Sequence, residues 1–272
     1  MKKGIGLCIA LLLTFTVIAQ GSIDGFYRGK GNATFVLGGG YKKGNAYFAG
    51  NDKLDIGREE FYVSLFGSYG ITNIFDVQVS VPYTEIGPNK AFQDIRFFAK
   101  YRFYEQQKNS ASFQLSTALG FSTPLSNYTI GGLNDIGQQA TSLEPIIMGH
   151  YQLDTGWFVT LQTGYAFKFD EVPDALPTTL KLGRALQTWY FDGYYESQYS
   201  FGGIDYRGTP RPQNFKEFAV DYHKIGGTIF KPLFKNFGIY GSVSYVFAGR
   251  NIFQGPGYGL GLVYDLKKNN AE

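Results

Sequence analysis

The sequence predicts an all-β fold: a transmembrane, antiparallel up-and-down β-barrel of about twelve strands, following an N-terminal signal peptide. Three observations carry that prediction. Short runs alternate between apolar and polar residues with the two-residue period of a strand. The connectors between them alternate between short and long. The composition joins 18% aromatics to 36 glycines, which suits many strands whose two faces differ in polarity.

The N-terminus reads MKKGIGLCIALLLTFTVIAQG. Lys2 and Lys3 make a positive start, Ile5 to Ile18 an apolar core, and Val17 and Ala19 the small-residue positions before a cleavage site. The apolar stretch falls short of the roughly 20 residues of a spanning helix, so residues 1–19 read as a cleaved secretory signal. Residues 20–272 then form a single barrel domain. The one cysteine, Cys8, lies within the signal, which leaves the mature chain without a possible disulfide. Without Lys2 and Lys3 the formal charge drops from +3 to +1, and a near-neutral chain does not argue for nucleic acid.

Along the chain the alternation recurs. Phe61, Val63, Leu65 and Tyr69 oppose Glu60, Tyr62, Ser64 and Ser68; Val77, Val79, Val81 and Tyr83 oppose Gln78, Ser80 and Pro82. In residues 94–103, Ile95, Phe97, Ala99, Tyr101 and Phe103 alternate with Asp94, Arg96, Lys100 and Arg102. Phe113, Leu115, Leu119 and Phe121 follow, then Trp157, Val159, Leu161, Tyr165 and Phe167. Near the C-terminus, Ile239, Val243, Tyr245 and Phe247 precede Tyr258, Leu260, Leu262, Tyr264 and Leu266. Such runs have roughly the 9–11 residues that cross a membrane as a tilted strand, with aromatics near their ends. A closed barrel is the all-strand way to satisfy backbone polar groups in lipid. A lipocalin-like barrel would have the opposite polarity, apolar inside.

Short connectors are expected at Thr72–Phe75, Glu105–Asn109, Asp154–Gly156, Leu186–Thr188 and Pro232–Asn236. Longer loops centre on Gly44–Gly57, Ser126–Gln138, Asp170–Pro177, Ser200–Asn214 and Gly249–Pro256, while Gly87–Lys90 is tight. An even strand number puts both termini on the periplasmic side of a Gram-negative outer membrane. FAVDYHKIGGTIF changes parity near Lys224 and Ile225, which predicts a bulge, and Thr178–Tyr199 reads as one long strand or two.

The expected inner face carries charge. Asp94, Arg96, Lys100 and Arg102, facing Glu144, Asp192 and Glu196, are the candidates for a constriction or a plug. In a wide lumen such charges set selectivity, and in a narrow one they pair. A barrel enzyme would need a histidine or paired carboxylates within hydrogen-bond reach of a partner. His150 sits near a short turn and His223 reads as deep within its strand, so both read as filler or lumen residues and no catalytic residue is expected. No Cys/His spacing suggests zinc and no acidic loop has calcium-loop order, so no metal or cofactor is expected.

Three pieces, in order, carry a family resemblance: YGITNIFDVQVSVPY, FQDIRFFAKYRF and ALGFSTPLSN. Val81-Pro82-Tyr83, the Asp-led basic strand Asp94 through Arg102, and Thr123-Pro124 resemble the outer-membrane family labelled "MetA-pathway of phenol degradation". Leu125-Ser126 departs from the glycine that often follows the Thr-Pro step there. The resemblance implies an outer-membrane barrel that moves small, often hydrophobic or aromatic, compounds. The sequence is therefore expected to encode a passive channel whose partners are outer-membrane lipid, a small-molecule permeant and the barrel-assembly machinery. The alternative is a closed structural or adhesion barrel acting through the 200–214 loop with Tyr206, Arg207 and Arg211, and after that a barrel hydrolase.

Overall fold

The computed structural model describes residues 23–212 and 214–268. The expected signal peptide, with Cys8, lies outside these residues. Twelve long antiparallel strands follow one another around the barrel. They are β1 (Ala33–Gly44), β2 (Arg58–Gly70), β3 (Phe75–Ile86), β4 (Asp94–Lys108), β5 (Ala111–Pro124) and β6 (Ser142–Leu153). Then come β7 (Trp157–Gly164), β8 (Ala175–Ala185), β9 (Tyr190–Ser200), β10 (Asp221–Pro232), β11 (Phe237–Arg250) and β12 (Ile252–Leu266). β1 pairs with β12 from Ala33↔Leu266 to Lys42↔Gly257, closing the sheet on itself. Closure gives every strand two neighbours, which is what lipid demands of a backbone.

The two faces separate as the alternation predicts. Leu65, Leu119, Ile147, Leu161, Leu180 and Val243 point outward and are exposed, and Leu260 reaches 73% exposure. Rings flank this apolar belt, with Phe61, Tyr83 and Tyr199 toward one end and Tyr69, Tyr151 and Phe237 toward the other. Large exposed apolar side chains on every strand would be a liability in water but match the hydrocarbon band and interfacial girdles of a membrane barrel. Among the described residues no helix is long and apolar enough to cross a membrane.

Short turns gather at one end, called lower here: 71–74, 109–110, 154–156, 186–189 and 233–236. β1 begins and β12 ends there as well. Three long connectors, 45–57, 125–141 and 201–220, rise at the upper end. The first contains a small hairpin, Ala46–Ala49 with Asp52–Leu54, that pairs back onto β12. At the expected loop around Gly249–Pro256, β11 and β12 part after Val246↔Gly255: residues up to Arg250 stay paired with β10, those from Ile252 pair with the small hairpin, and Asn251 at φ 51° turns the chain between them. Thr178–Tyr199 divides into β8 and β9 at a turn over 186–189. The register shifts opposite His223 and Lys224, but β10 alternates regularly there and the extra residue is Phe247 of β11; a second shift lies in β4 between Arg102 and Tyr104.

Candidate functional site

The lower half of the lumen is filled by the chain itself. Residues 23–28 precede β1 and run inside the barrel, where Ile23, Asp24, Phe26, Tyr27 and Arg28 are all buried. Phe26 packs with Val36, Phe158, Tyr190, Phe230 and Val263, which come from walls on both sides of the lumen. Ile23 packs with Phe98, Ala118, Ile146 and Met148. Gly25 lies against the His150 imidazole so closely that a methyl there would collide with the ring. Gly29 and Gly31 then take φ 78° and 82°, a left-handed backbone that suits glycine, and the chain turns from the plug into β1.

Lys100 holds this segment in place. Its ammonium is fully buried and donates to the carbonyl oxygens of Asp24 (3.0 Å) and Phe26 (2.6 Å). Asp24 Oδ1 at 3.4 Å and Asp76 Oδ2 at 3.8 Å supply the counter-charge. Arg28 completes the group: its Nη2 donates to Asp24 Oδ2 at 3.1 Å, and its backbone N–H donates to Asp76 Oδ2 at 3.0 Å. Two cations and two carboxylates thus share one buried site, which offsets the cost of desolvating each. Tyr27 bonds Ser116 at 2.8 Å, and Lys100 and Arg102 both lie over its ring.

The upper half is different. Arg96 faces inward yet is exposed, and Lys42 leaves 55% of its side chain open while bonding Glu60 at 2.6 Å. Charge exposed on the inner face of a closed barrel requires water there. Asp94, Arg96 and Lys168 lie within electrostatic reach of one another, and Arg96 and Glu144 of Tyr222 across the lumen. Glu196 accepts from Lys224 at 2.9 Å and from Tyr222 at 2.6 Å.

Three loops roof this space. Tyr47, Leu54, Leu133, Tyr206 and Phe253 form one cluster, bringing the 45–57, 125–141 and 201–220 connectors together. Arg58 lies over Phe253 and donates to the carbonyls of Leu133 and Asp135. Gln138 donates to the carbonyls of Lys216 and Phe218, tying two loops across the mouth. Tyr128 bonds Asp94 at 2.6 Å and accepts from the Gln139 N–H at 2.9 Å, and burial together with the Asp94 carboxylate pushes its phenol well above the usual range.

The seven sequence-chosen residues therefore fall into separate environments. Asp94, Arg96, Glu144 and Glu196 gather in the upper lumen. Lys100 anchors the plug, and Arg102 sits below it, bridging to Glu105 at 3.2 Å and to the carbonyl of Asn73. Asp192 accepts from Tyr190 at 2.6 Å beside the packed rings. Asp24, Arg28 and Asp76 escaped the sequence reading, because residues 23–28 have no strand period and Asp76 opens its strand as a single charge. His223 is not deep in its strand: β10 begins at Asp221, and His223 faces outward, bonded to Tyr195 at 2.6 Å. His150 lies in the plug layer, bonded to Thr160 at 2.7 Å. Among the described residues no group of three His, Cys, Asp or Glu side chains is placed to hold a metal ion.

A twelve-strand closed barrel with a lipid-facing exterior and a polar lumen is an outer-membrane-type β-barrel. The chain belongs to the family described as "Putative MetA-pathway of phenol degradation", whose model matches residues 29–262. Among solved structures it is similar to an outer membrane channel from Pseudomonas putida F1, with TM-score 0.69, 11% identity, and 90% of this chain and 99% of that one covered. The NanC porin follows with TM-score 0.54 and 12% identity over 85% of this chain and 100% of that one. The KdgM porin in complex with disordered oligogalacturonate gives TM-score 0.51 and 13% identity over 86% and 99%. No curated protein matches the chain in sequence.

Proposed function

We propose that this protein is a passive outer-membrane channel for small molecules, seated with its short turns and both termini on the periplasmic side. The observation that carries the reading is the exposed charge of Arg96 and Lys42 on the inside of a barrel closed all round. The channel and porin neighbours, and the one seen with a sugar acid oligomer, support a small-molecule permeant. The orientation rests on short turns at the lower end and long loops above, the usual arrangement of outer-membrane barrels, which also engage lipid and assembly machinery. Residues 23–28 restrict the path below and the roof restricts it above.

The histidines favour transport over catalysis. His150 is bonded to Thr160 and enclosed by Phe26 and Phe158, and His223 turns toward lipid. The 201–220 loop does not favour the adhesion reading, since Tyr206 turns into the roof against Tyr47 and Phe218.

The test is planar-bilayer conductance of the mature protein beside a variant whose residues 23–28 are replaced by Gly and Ser. Lasting current steps, larger in the variant, are expected. Two barrels that are folded by heat-modifiable gel mobility yet silent would end the channel reading.

A further inference from the structure

Both tryptophans of the chain, Trp157 and Trp189, stand at the lower rim of the barrel, where β7 begins and where β9 begins. Both are exposed on the face that meets lipid. Each carries a cation. Lys231 Nζ lies 4.5 Å from the centre of the Trp189 ring, and the Arg184 guanidinium 5.6 Å from that of Trp157. Strand register brings them together. Trp157, Arg184, Phe191 and Ile229 form one outward cross-strand row, and Lys231 projects from β10 one outward step below Ile229. Trp157 also meets Phe191 edge to face at 5.9 Å, which steadies the ring beside the guanidinium.

The charge of this rim is not neutralised within the protein. Arg184 Nε donates to the Thr155 carbonyl at 3.1 Å, and among the described residues neither Arg184 nor Lys231 has a carboxylate partner. Lys235 adds an exposed cation in the 233–236 turn. Of the carboxylates at these strand ends, Asp192 points inward to Tyr190, and Asp154, in the turn before Trp157, makes no ion pair among the described residues. The foot of β4 differs, since Arg102 is bridged there to Glu105 at 3.2 Å. A cation resting on an aromatic ring keeps its far side free for an anion, while its stem lies along apolar surface. Above the rim, Leu182, Gly193, Gly227 and Val243 form the next outward row. Backbone alone lies nearest both glycines, which leaves a shallow hollow between Leu182 and Val243.

We infer that this rim is a binding site for an anionic phospholipid of the periplasmic leaflet. Its phosphate would sit between Arg184 and Lys231, whose donors make charge-assisted bonds to phosphate oxygens. An acyl chain would lie in the hollow above. A choline or ethanolamine headgroup brings its own cation to a rim that offers it no carboxylate, so lipid with net negative charge is preferred. The leaflet rests on the orientation proposed above; the site itself does not rest on transport.

Because these are the only two tryptophans, their fluorescence reports on this rim alone. The full mature protein is reconstituted in phosphatidylcholine vesicles containing brominated phosphatidylglycerol or, separately, brominated phosphatidylcholine. Cations at a membrane surface contribute about fivefold each in affinity for anionic lipid, so brominated phosphatidylglycerol should quench at a mole fraction roughly 5- to 25-fold lower. Arg184→Gln with Lys231→Gln should remove that preference, whereas Lys108→Gln at the foot of β4 should leave it. Lys231→Gln alone should lower it about fivefold, and decides the matter if the double variant does not fold. Equal quenching by the two lipids, or a preference unchanged in the folded variants, overturns the site. Lipid A that displaces the brominated lipid better than unlabelled phosphatidylglycerol does overturns the leaflet and, with it, the orientation. Silent bilayers end the channel reading and leave the site standing.

Discussion

Replacing Lys100 with Met removes one charge from the plug while keeping the length of the side chain. The ammonium is fully buried and bonds two carbonyls of the inserted segment, at 3.0 and 2.6 Å, with Asp24 and Asp76 as counter-charges. Deleting one partner of a buried charge group costs about 3–5 kcal/mol, because the others are left uncompensated. Arg28 still pairs with Asp24 at 3.1 Å, which points to the lower part of that range. The barrel wall itself keeps its strand pairing, so the loss falls on docking of residues 23–28. At about 1.4 kcal/mol per tenfold, docking weakens by about a hundred-fold or more. Hydrogen exchange at the amides of residues 24–28 reads that opening free energy directly. Protection should fall by a comparable factor while β1–β12 amides stay protected, and conductance should rise. Unchanged protection at these amides in a folded Lys100→Met barrel would refute the reasoning.

Other outcomes follow from the same geometry. Gly25→Ala should loosen the plug, since its methyl meets the His150 ring, and His150→Ala in the same chain should restore amide protection. Arg96→Glu should move reversal potentials toward cation preference more than Arg102→Glu, because Arg96 is exposed in the upper lumen whereas Arg102 is bridged to Glu105. The Tyr128 phenol is held above its usual value by burial and by Asp94, so its contribution to roof order is complete below about pH 10 and declines as pH rises further. Hydrogen exchange over 126–140 should show that alkaline loosening, and Tyr128→Phe should abolish it while costing about 1–3 kcal/mol of roof stability. Leu260→Arg puts a charge at one of the most exposed outward positions, 73% open, and should destabilise folding into vesicles by about 2–4 kcal/mol in urea titrations.

The strands were legible because lipid outside and water inside impose opposite demands on alternate residues. The register shift opposite His223/Lys224 left a mark by position alone, since its extra residue, Phe247, lies on the neighbouring β11. The bulge after Arg102 left none, because Phe103 and Tyr104 are both aromatic and either parity looks satisfied. In β4 the inner row is Asp94, Arg96, Phe98, Lys100 and Arg102, and buried Phe98 interrupts the charges. That interruption was the one trace of a filled lower lumen. The plug itself was hidden, since residues 23–28 lie inside the barrel without strand pairing, and nothing periodic records which wall residues surround them. The connector around Asn251 was legible from its glycines, but its pairing with β10 and with the 46–54 hairpin was not, because no local period records those partners.

The inserted segment has a consequence for the order of folding. Its partners are spread around the cylinder: Asp76 on β3, Lys100 on β4, Ser116 on β5, Gln162 on β7 and Phe230 on β10. Ile23 and Gln162 are 139 positions apart in the chain. No incomplete sheet presents all of these groups at once, and closing such long loops is paid in entropy before any contact returns it. Residues that precede every strand in the chain are thus the last to find their place. Phe26 also packs on Val36 of β1 and Val263 of β12, so the full set of contacts exists only in the closed cylinder, and complete docking is a chemical record that the seam has been sealed.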